Sequence, residues 1–289
     1  MKDYLIRGIA YNDQVRIFAC STTDALNYIG DKFSYYPSAL DAVGRVLSMG
    51  AMMGSMLKLD ETVTIKVEGN GPIGRILVDA DAHGHVRAYA ENPRVHFEYN
   101  DMRLNAKATI GDEGFINVIK DLKLKEPFIG STPIISGEMG KDFAYYFTVS
   151  EQVPTAVSLG VLVDTESQAK ASGGFIIQLL PNATEEVISE LEKKLSILPS
   201  MSELLSSGYS LEDIVSNIAS DFKLLNKTPI EFRCNCSKEK FERGLISLGK
   251  KELLDIIIED GKAETVCHFC NEHYNFTKEE LIELAKIAK

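Results

Sequence analysis

At 289 residues, with 45% hydrophobic and 25% charged content, the chain has the length for two domains and the balance of an ordinary globular protein that needs no disulfide staples. A net charge of −11 and a pI near 5.1 argue against a nucleic-acid backbone as the main partner. No apolar run approaches the roughly 18 residues of a membrane span. The opening Met1-Lys2-Asp3-Tyr4 carries charge where a secretory signal needs an apolar stretch, so no membrane association and a reducing, cytoplasmic location are expected.

In chain order, Tyr4 to Ala10 and Val15 to Cys20 pattern as two strands around a turn at Tyr11-Asn12-Asp13-Gln14. Thr22 or Thr23 can cap a helix through Phe33, and a second helix is expected from Pro37 to about Leu57. Thr62 to Glu68, Arg75 to Asp81 and Val86 to Glu91 read as strands, the last two joined by His83-Gly84. Arg103 to Ile110 and Phe115 to Leu122 read as a further pair. A helix from Gly140 to Gln152 and strands from Ala156 to Asp164 and from Gly174 to Leu180 complete the region. Strands succeed one another through hairpins with few helices between them, which makes residues 1–181 an α+β core domain.

Two patterns invite over-reading. Gly69-Asn70-Gly71-Pro72-Ile73-Gly74 has the spacing of a dinucleotide fingerprint, but Arg75 to Asp81, immediately after it, patterns as a strand. The fingerprint needs a helix N-terminus there, so a turn is expected. Met49, Met52, Met53 and Met56 fall on one helical stripe beside Gly50, Ala51 and Gly54, and close packing in the core is the favoured reading over an adaptable binding face. Cys20, at a strand end, is expected to be a small buried apolar residue.

After Pro181 strand signals cease, and residues 182–230 read as a helical linker. Asn182 with Glu185 fits an N-cap and its partner, with Val187, Leu191, Leu195 and Leu198 next on one face. Ser200 with Glu203 opens a short second helix that Gly208 can stop. Ser210 opens a third, with Leu211, Ile214, Val215, Ile218 and Phe222 on one side. Helices this short are marginal alone, so they must dock on something. They form either an ordinary helical subdomain or a metastable element, folded only while its neighbours hold it.

Four of the five cysteines lie in residues 231–289: Cys234 and Cys236 as Cys-x-Cys, Cys267 and Cys270 as Cys-x-x-Cys. Two close pairs on two turns can bring four sulfurs to the corners of a tetrahedron, which suits one structural Zn²⁺; an iron–sulfur cluster competes less well. His268 and His273 are near enough to substitute as ligands but are expected to be surface residues. A domain under sixty residues has a marginal core, so the metal would decide whether it folds. Thiolates are also the form that peroxide attacks, so oxidation would remove the ligands and loosen the domain and the segment before it.

The whole chain resembles the bacterial redox-regulated heat-shock holdase chaperone family, the heat-shock protein of about thirty-three kilodaltons. The spacing of the two cysteine pairs is the most specific mark. Gly84-His85-Val86-Arg87-Ala88-Tyr89 with Asn92-Pro93, Ser150-Glu151-Gln152-Val153-Pro154 and Gly173-Gly174-Phe175-Ile176-Ile177-Gln178-Leu179-Leu180-Pro181 also match. The resemblance implies a zinc-bound, inactive monomer in reducing conditions. It implies disulfides Cys234–Cys236 and Cys267–Cys270 on oxidation, zinc release, linker unfolding, and an active homodimer that binds unfolding client proteins without ATP. Two other classes compete: a zinc-ribbon nucleic-acid-binding regulator, and a thiol–disulfide oxidoreductase working through Cys267 and Cys270. Ten basic against twelve acidic residues in 231–289 leave no basic footprint for the first. No nucleophile–base–acid set stands out, so no catalytic residue is assigned.

Overall fold

The computed structural model describes residues 2–100 and 103–289. The chain divides into two compact units, Met1–Arg233 and Cys234–Lys289.

The first unit opens with the hairpin β1 (Tyr4–Ala10) and β2 (Val15–Ser21), then α1 (Thr23–Phe33) and α2 (Pro37–Gly54). Strands β3 (Thr62–Gly69), β4 (Arg75–Asp81) and β5 (His85–Ala90) come next, then α3 (Ala106–Ile110), β6 (Gly114–Asp121), β7 (Phe128–Pro133) and α4 (Met139–Val149). Strands β8 (Thr155–Val163) and β9 (Ala169–Leu179) precede α5 (Glu185–Ile197), α6 (Met201–Ser206) and α7 (Leu211–Ile218). Strands β10 (Lys223–Pro229) and β11 (Glu231–Phe232) end the unit. One sheet runs β10-β1-β2-β9-β8 and the other β11-β5-β4-β3-β6-β7. The α+β expectation holds.

Helix α2 packs on strands of both sheets and is buried almost all round. Its glycines permit the approach: a Cβ on Gly50 would lie 2.5 Å from Val78, and one on Gly44 would lie 2.5 Å from Leu26. Met49, Met52 and Met53 are buried in this core, with Met56 packed at its margin, so the methionine stripe is packing. Arg45, the one charged residue between Asp41 and the helix end, pairs with Asp41 at 3.0 Å and donates to the Leu159 carbonyl at 2.9 Å. The Gly69–Gly74 stretch turns from β3 into β4, as its strand pattern requires.

Four local expectations are corrected. Residues 106–110 form helix α3 instead of continuing a strand, because Asn105 accepts from the Ala108 amide at 2.9 Å and caps a turn there. Edge strand β7 was not foreseen; its mostly exposed residues lack a regular two-residue apolar alternation. Helix α5 starts after Thr184, with Asn182 instead donating to the Asp13 carbonyl at 3.3 Å. Helix α7 stops at Ile218, and Phe222 leads into β10, which pairs with β1 from Tyr4↔Pro229 to Ile9↔Lys223. Strand β10 is exposed along nearly its whole length, so its sequence shows no buried face; backbone pairing alone makes it a strand.

Helices α5, α6 and α7 cover the face of the five-stranded sheet turned away from α2. Val187, Leu191, Met201, Leu204, Leu211, Ile214, Val215 and Ile218 meet Tyr4, Ile6, Val15, Ile17, Phe175 and Ile177 in one buried cluster. Polar ties edge it: the Tyr4 hydroxyl donates to Glu212 at 2.7 Å, and Lys227 reaches the same carboxylate at 2.8 Å. Residues 182–230 are thus docked on the sheet of the first unit, with β10 completing that sheet.

The second unit holds α8 (Lys238–Ser247), α9 (Lys250–Glu259), the hairpin β12 (Lys262–Val266) and β13 (His273–Thr277), and α10 (Lys278–Ile287). Thr277 and Glu280, three residues apart, make a capping box at the start of α10. Its core is eight buried residues, among them Leu253, Phe276 and Leu281.

Candidate metal centre

Cys267 and Cys270 sit on the turn between β12 and β13. The Cys267 amide donates to the Glu272 carbonyl at 2.9 Å, and the Asn271 amide donates back to Cys267 at 2.8 Å. Asn271 takes a left-handed φ of 60°, a conformation asparagine tolerates, and this curls the turn so that both thiols face inward. Cys234 and Cys236 lie on the extended stretch before α8, where alternate residues share a side.

The four sulfurs lie within 4.8 Å of one another. Two close approaches run across the motifs: Cys234 to Cys267 at 3.7 Å and Cys236 to Cys270 at 3.3 Å. A tetrahedral Zn²⁺ with sulfurs at about 2.3 Å sets those sulfurs about 3.8 Å apart, so the cluster has the donor set and spacing for that ion. No disulfide joins any of the four. Burial opposes ionisation of Cys234, but the Cys236 amide and the adjoining thiols outweigh it and lower its pKa. Cys267 and Cys270 are pushed up, chiefly by burial. Ionisation is thus favoured at Cys234 and opposed at Cys267 and Cys270, where a bound cation would have to displace the proton.

His273 is exposed on β13 and turned to Glu264 at 2.7 Å, and His268 is exposed on the turn, so the cluster is one of cysteines alone. Cys20 is fully buried in the first unit, its thiol against the Ser48 carbonyl at 3.5 Å and its pKa pushed up to about 12 by burial. One residue at the site was not anticipated. Tyr274 donates its hydroxyl to Cys236 Sγ at 3.2 Å, a bond that raises the tyrosine's own pKa, with burial adding to it. The only advance signal for it was an aromatic residue in the strand after the second cysteine pair.

A Cys-x-x-Cys on a hairpin turn is placed as a metal knuckle and not at a helix N-terminus, where a dithiol oxidoreductase would carry it. The family model described as "Hsp33 protein" matches residues 3–277. The chain belongs to the Hsp33 family. Hsp33 relatives named 33 kDa chaperonin include one from Bacillus velezensis, 48% identical over 284 residues and covering 98% of each chain. Another, from Bacillus subtilis, is 47% identical over 281 residues, covering 96% of this chain and 97% of its own. The solved 33 kDa chaperonin (heat shock protein 33 homolog) of Thermotoga maritima superimposes with a TM-score of 0.91 at 34% identity, over 99% of both chains. The Hsp33 family is thereby one of chaperones. Among the described residues, no helix is long and apolar enough to cross a membrane.

Proposed function

We propose that this chain is an ATP-independent holdase, switched on by oxidation of Cys234, Cys236, Cys267 and Cys270. The observation that carries the reading is the convergence of those thiols in a unit whose own core is only eight buried residues. The four cysteines would hold one Zn²⁺, which when bound supplies about 10–16 kcal/mol of folding free energy in small zinc domains. A core of this size contributes a few kcal/mol at most, so residues 231–289 stand or fall with their sulfur ligands.

Each pair of thiolates gives two electrons to one hydrogen peroxide, forming one disulfide and two hydroxide ions. Disulfide sulfurs no longer serve as thiolate ligands, and the unit then loses its main source of stability. The family resemblance assigns the pairs as Cys234–Cys236 and Cys267–Cys270.

Residues 182–230 are the proposed metastable element. Their helices have 13, 6 and 8 residues, too short to persist undocked. Cys234 comes directly after β10 and β11 in the chain, so disorder beyond it can propagate into β10 and the helices before it. Undocking would expose Leu211, Ile214 and Ile218 on one side and Ile6, Val15 and Ile17 on the other, a broad apolar surface for unfolding client proteins. The reduced protein is a monomer and the oxidised, active one a homodimer in this reading, acting in the cytoplasm. The test is light scattering from a heat-unfolding client with reduced and oxidised protein. Suppression by the oxidised form alone is expected; equal suppression by both refutes the switch.

A further inference from the structure

We infer that Tyr274 is a positioning residue for the oxidation chemistry, its hydroxyl restraining Cys236 Sγ and slowing the reaction of that sulfur with an oxidant. The inference rests on the reading of the cluster as a redox switch. Tyr274 lies opposite Thr265 in the β12–β13 register, and Thr265 Oγ1 donates to the Tyr274 carbonyl at 3.4 Å. Its ring stacks on Phe241 of α8, with centroids 4.9 Å apart and planes tilted by 33°. The ring is thus gripped between the hairpin that carries Cys267 and Cys270 and the helix that comes after Cys236. Its hydroxyl is aimed at one sulfur of the four, at 3.2 Å.

The chemistry gives that aim a consequence. A thiolate attacks peroxide to form a sulfenic acid and hydroxide; a neighbouring thiolate then displaces a second hydroxide as the disulfide forms. Both steps spend electron density on the attacking sulfur. An O–H donor held against it withdraws that density and occupies a lone pair, which lowers the sulfur's nucleophilicity. Hydrogen bonds to charged groups are the strong ones, so losing this one should speed Cys236 about three- to tenfold.

The experiment uses the full-length, zinc-loaded protein and the Tyr274→Phe variant, which keeps the ring on Phe241 and removes only the hydroxyl. Each is exposed to hydrogen peroxide, quenched with an alkylating agent at intervals, and analysed cysteine by cysteine by peptide mass spectrometry; direct alkylation without peroxide is run alongside. The expected result is a three- to tenfold rise in the rate of Cys236 relative to Cys270. Phe241→Leu, which keeps the hydroxyl but loosens its aim, should raise the same ratio by a smaller factor. An unchanged ratio, or an equal acceleration of all four sulfurs as general loosening would give, overturns the assignment. Wild-type protein that loses its thiols without gaining holdase activity overturns the switch reading, while the Cys236 ratio still decides for or against Tyr274.

Discussion

Replacing Ile214 by alanine is the sharpest probe of how residues 182–230 are held. Ile214 is fully buried in α7, where it meets the outer face of the five-stranded sheet. The substitution deletes three carbons, about 2.4 kcal/mol of transfer free energy at ~0.8 kcal/mol each. The cavity left behind adds to this, giving about 2.4–5 kcal/mol in all. At about 1.4 kcal/mol per tenfold, the equilibrium for undocking α7 should rise by roughly fiftyfold to a few thousandfold. None of this touches the cysteines, so the reduced variant should keep four thiols at the cluster. Hydrogen exchange of the α7 and β10 amides, read beside client light scattering, checks the chain of cause. The expected result is lost protection in 182–230 together with client protection in the reduced protein. If those amides exchange freely and the client still aggregates, the buried sheet face is not the client surface. If they stay as protected as in the wild type, the packing argument is wrong.

Three further outcomes are expected. Removing metal with a chelator, or by Cys267→Ser at a buried ligand position, should unfold residues 234–289 and loosen residues 182–230 while leaving residues 1–181 folded; circular dichroism and limited proteolysis read these, and a folded apo unit would contradict the small-core argument. Cys20 should remain unmodified by peroxide or iodoacetamide in the native protein and react only after denaturation, as mass spectrometry can show, because burial holds its pKa up at about 12. Asp3, buried where it accepts from Ser21 Oγ at 2.9 Å and the Ala25 amide at 2.8 Å, has its pKa raised by burial from 3.8 to about 6. The folded state then binds more protons than the unfolded one between those values. Stability from this group is complete below about pH 4 and lost as pH rises through 6, by at most about 3 kcal/mol. Denaturant titrations of wild type and Asp3→Asn across pH 4–7 should show that loss in the wild type and its absence in the variant.

Elements whose reasons are local were legible from the residues alone. Alternating apolar residues are enough for β3, β4 and β5, and the capping boxes at Ser200, Ser210 and Thr277 set three helix starts within a few residues of chain. The two cysteine pairs announced a cluster because thiols that close in sequence must share a turn or an edge. Features that depend on distant partners came only from the folded chain. Strand β10 exists because β1, over 200 residues earlier, offers an open backbone edge, which no pattern in Lys223–Pro229 records. The apolar stripes of α5, α6 and α7 say that they must be covered, but only the fold shows that the outer face of the five-stranded sheet covers them. The sulfur that receives the Tyr274 hydroxyl was likewise set by packing, since a hydrogen bond spanning 38 residues depends on how a hairpin and a helix meet.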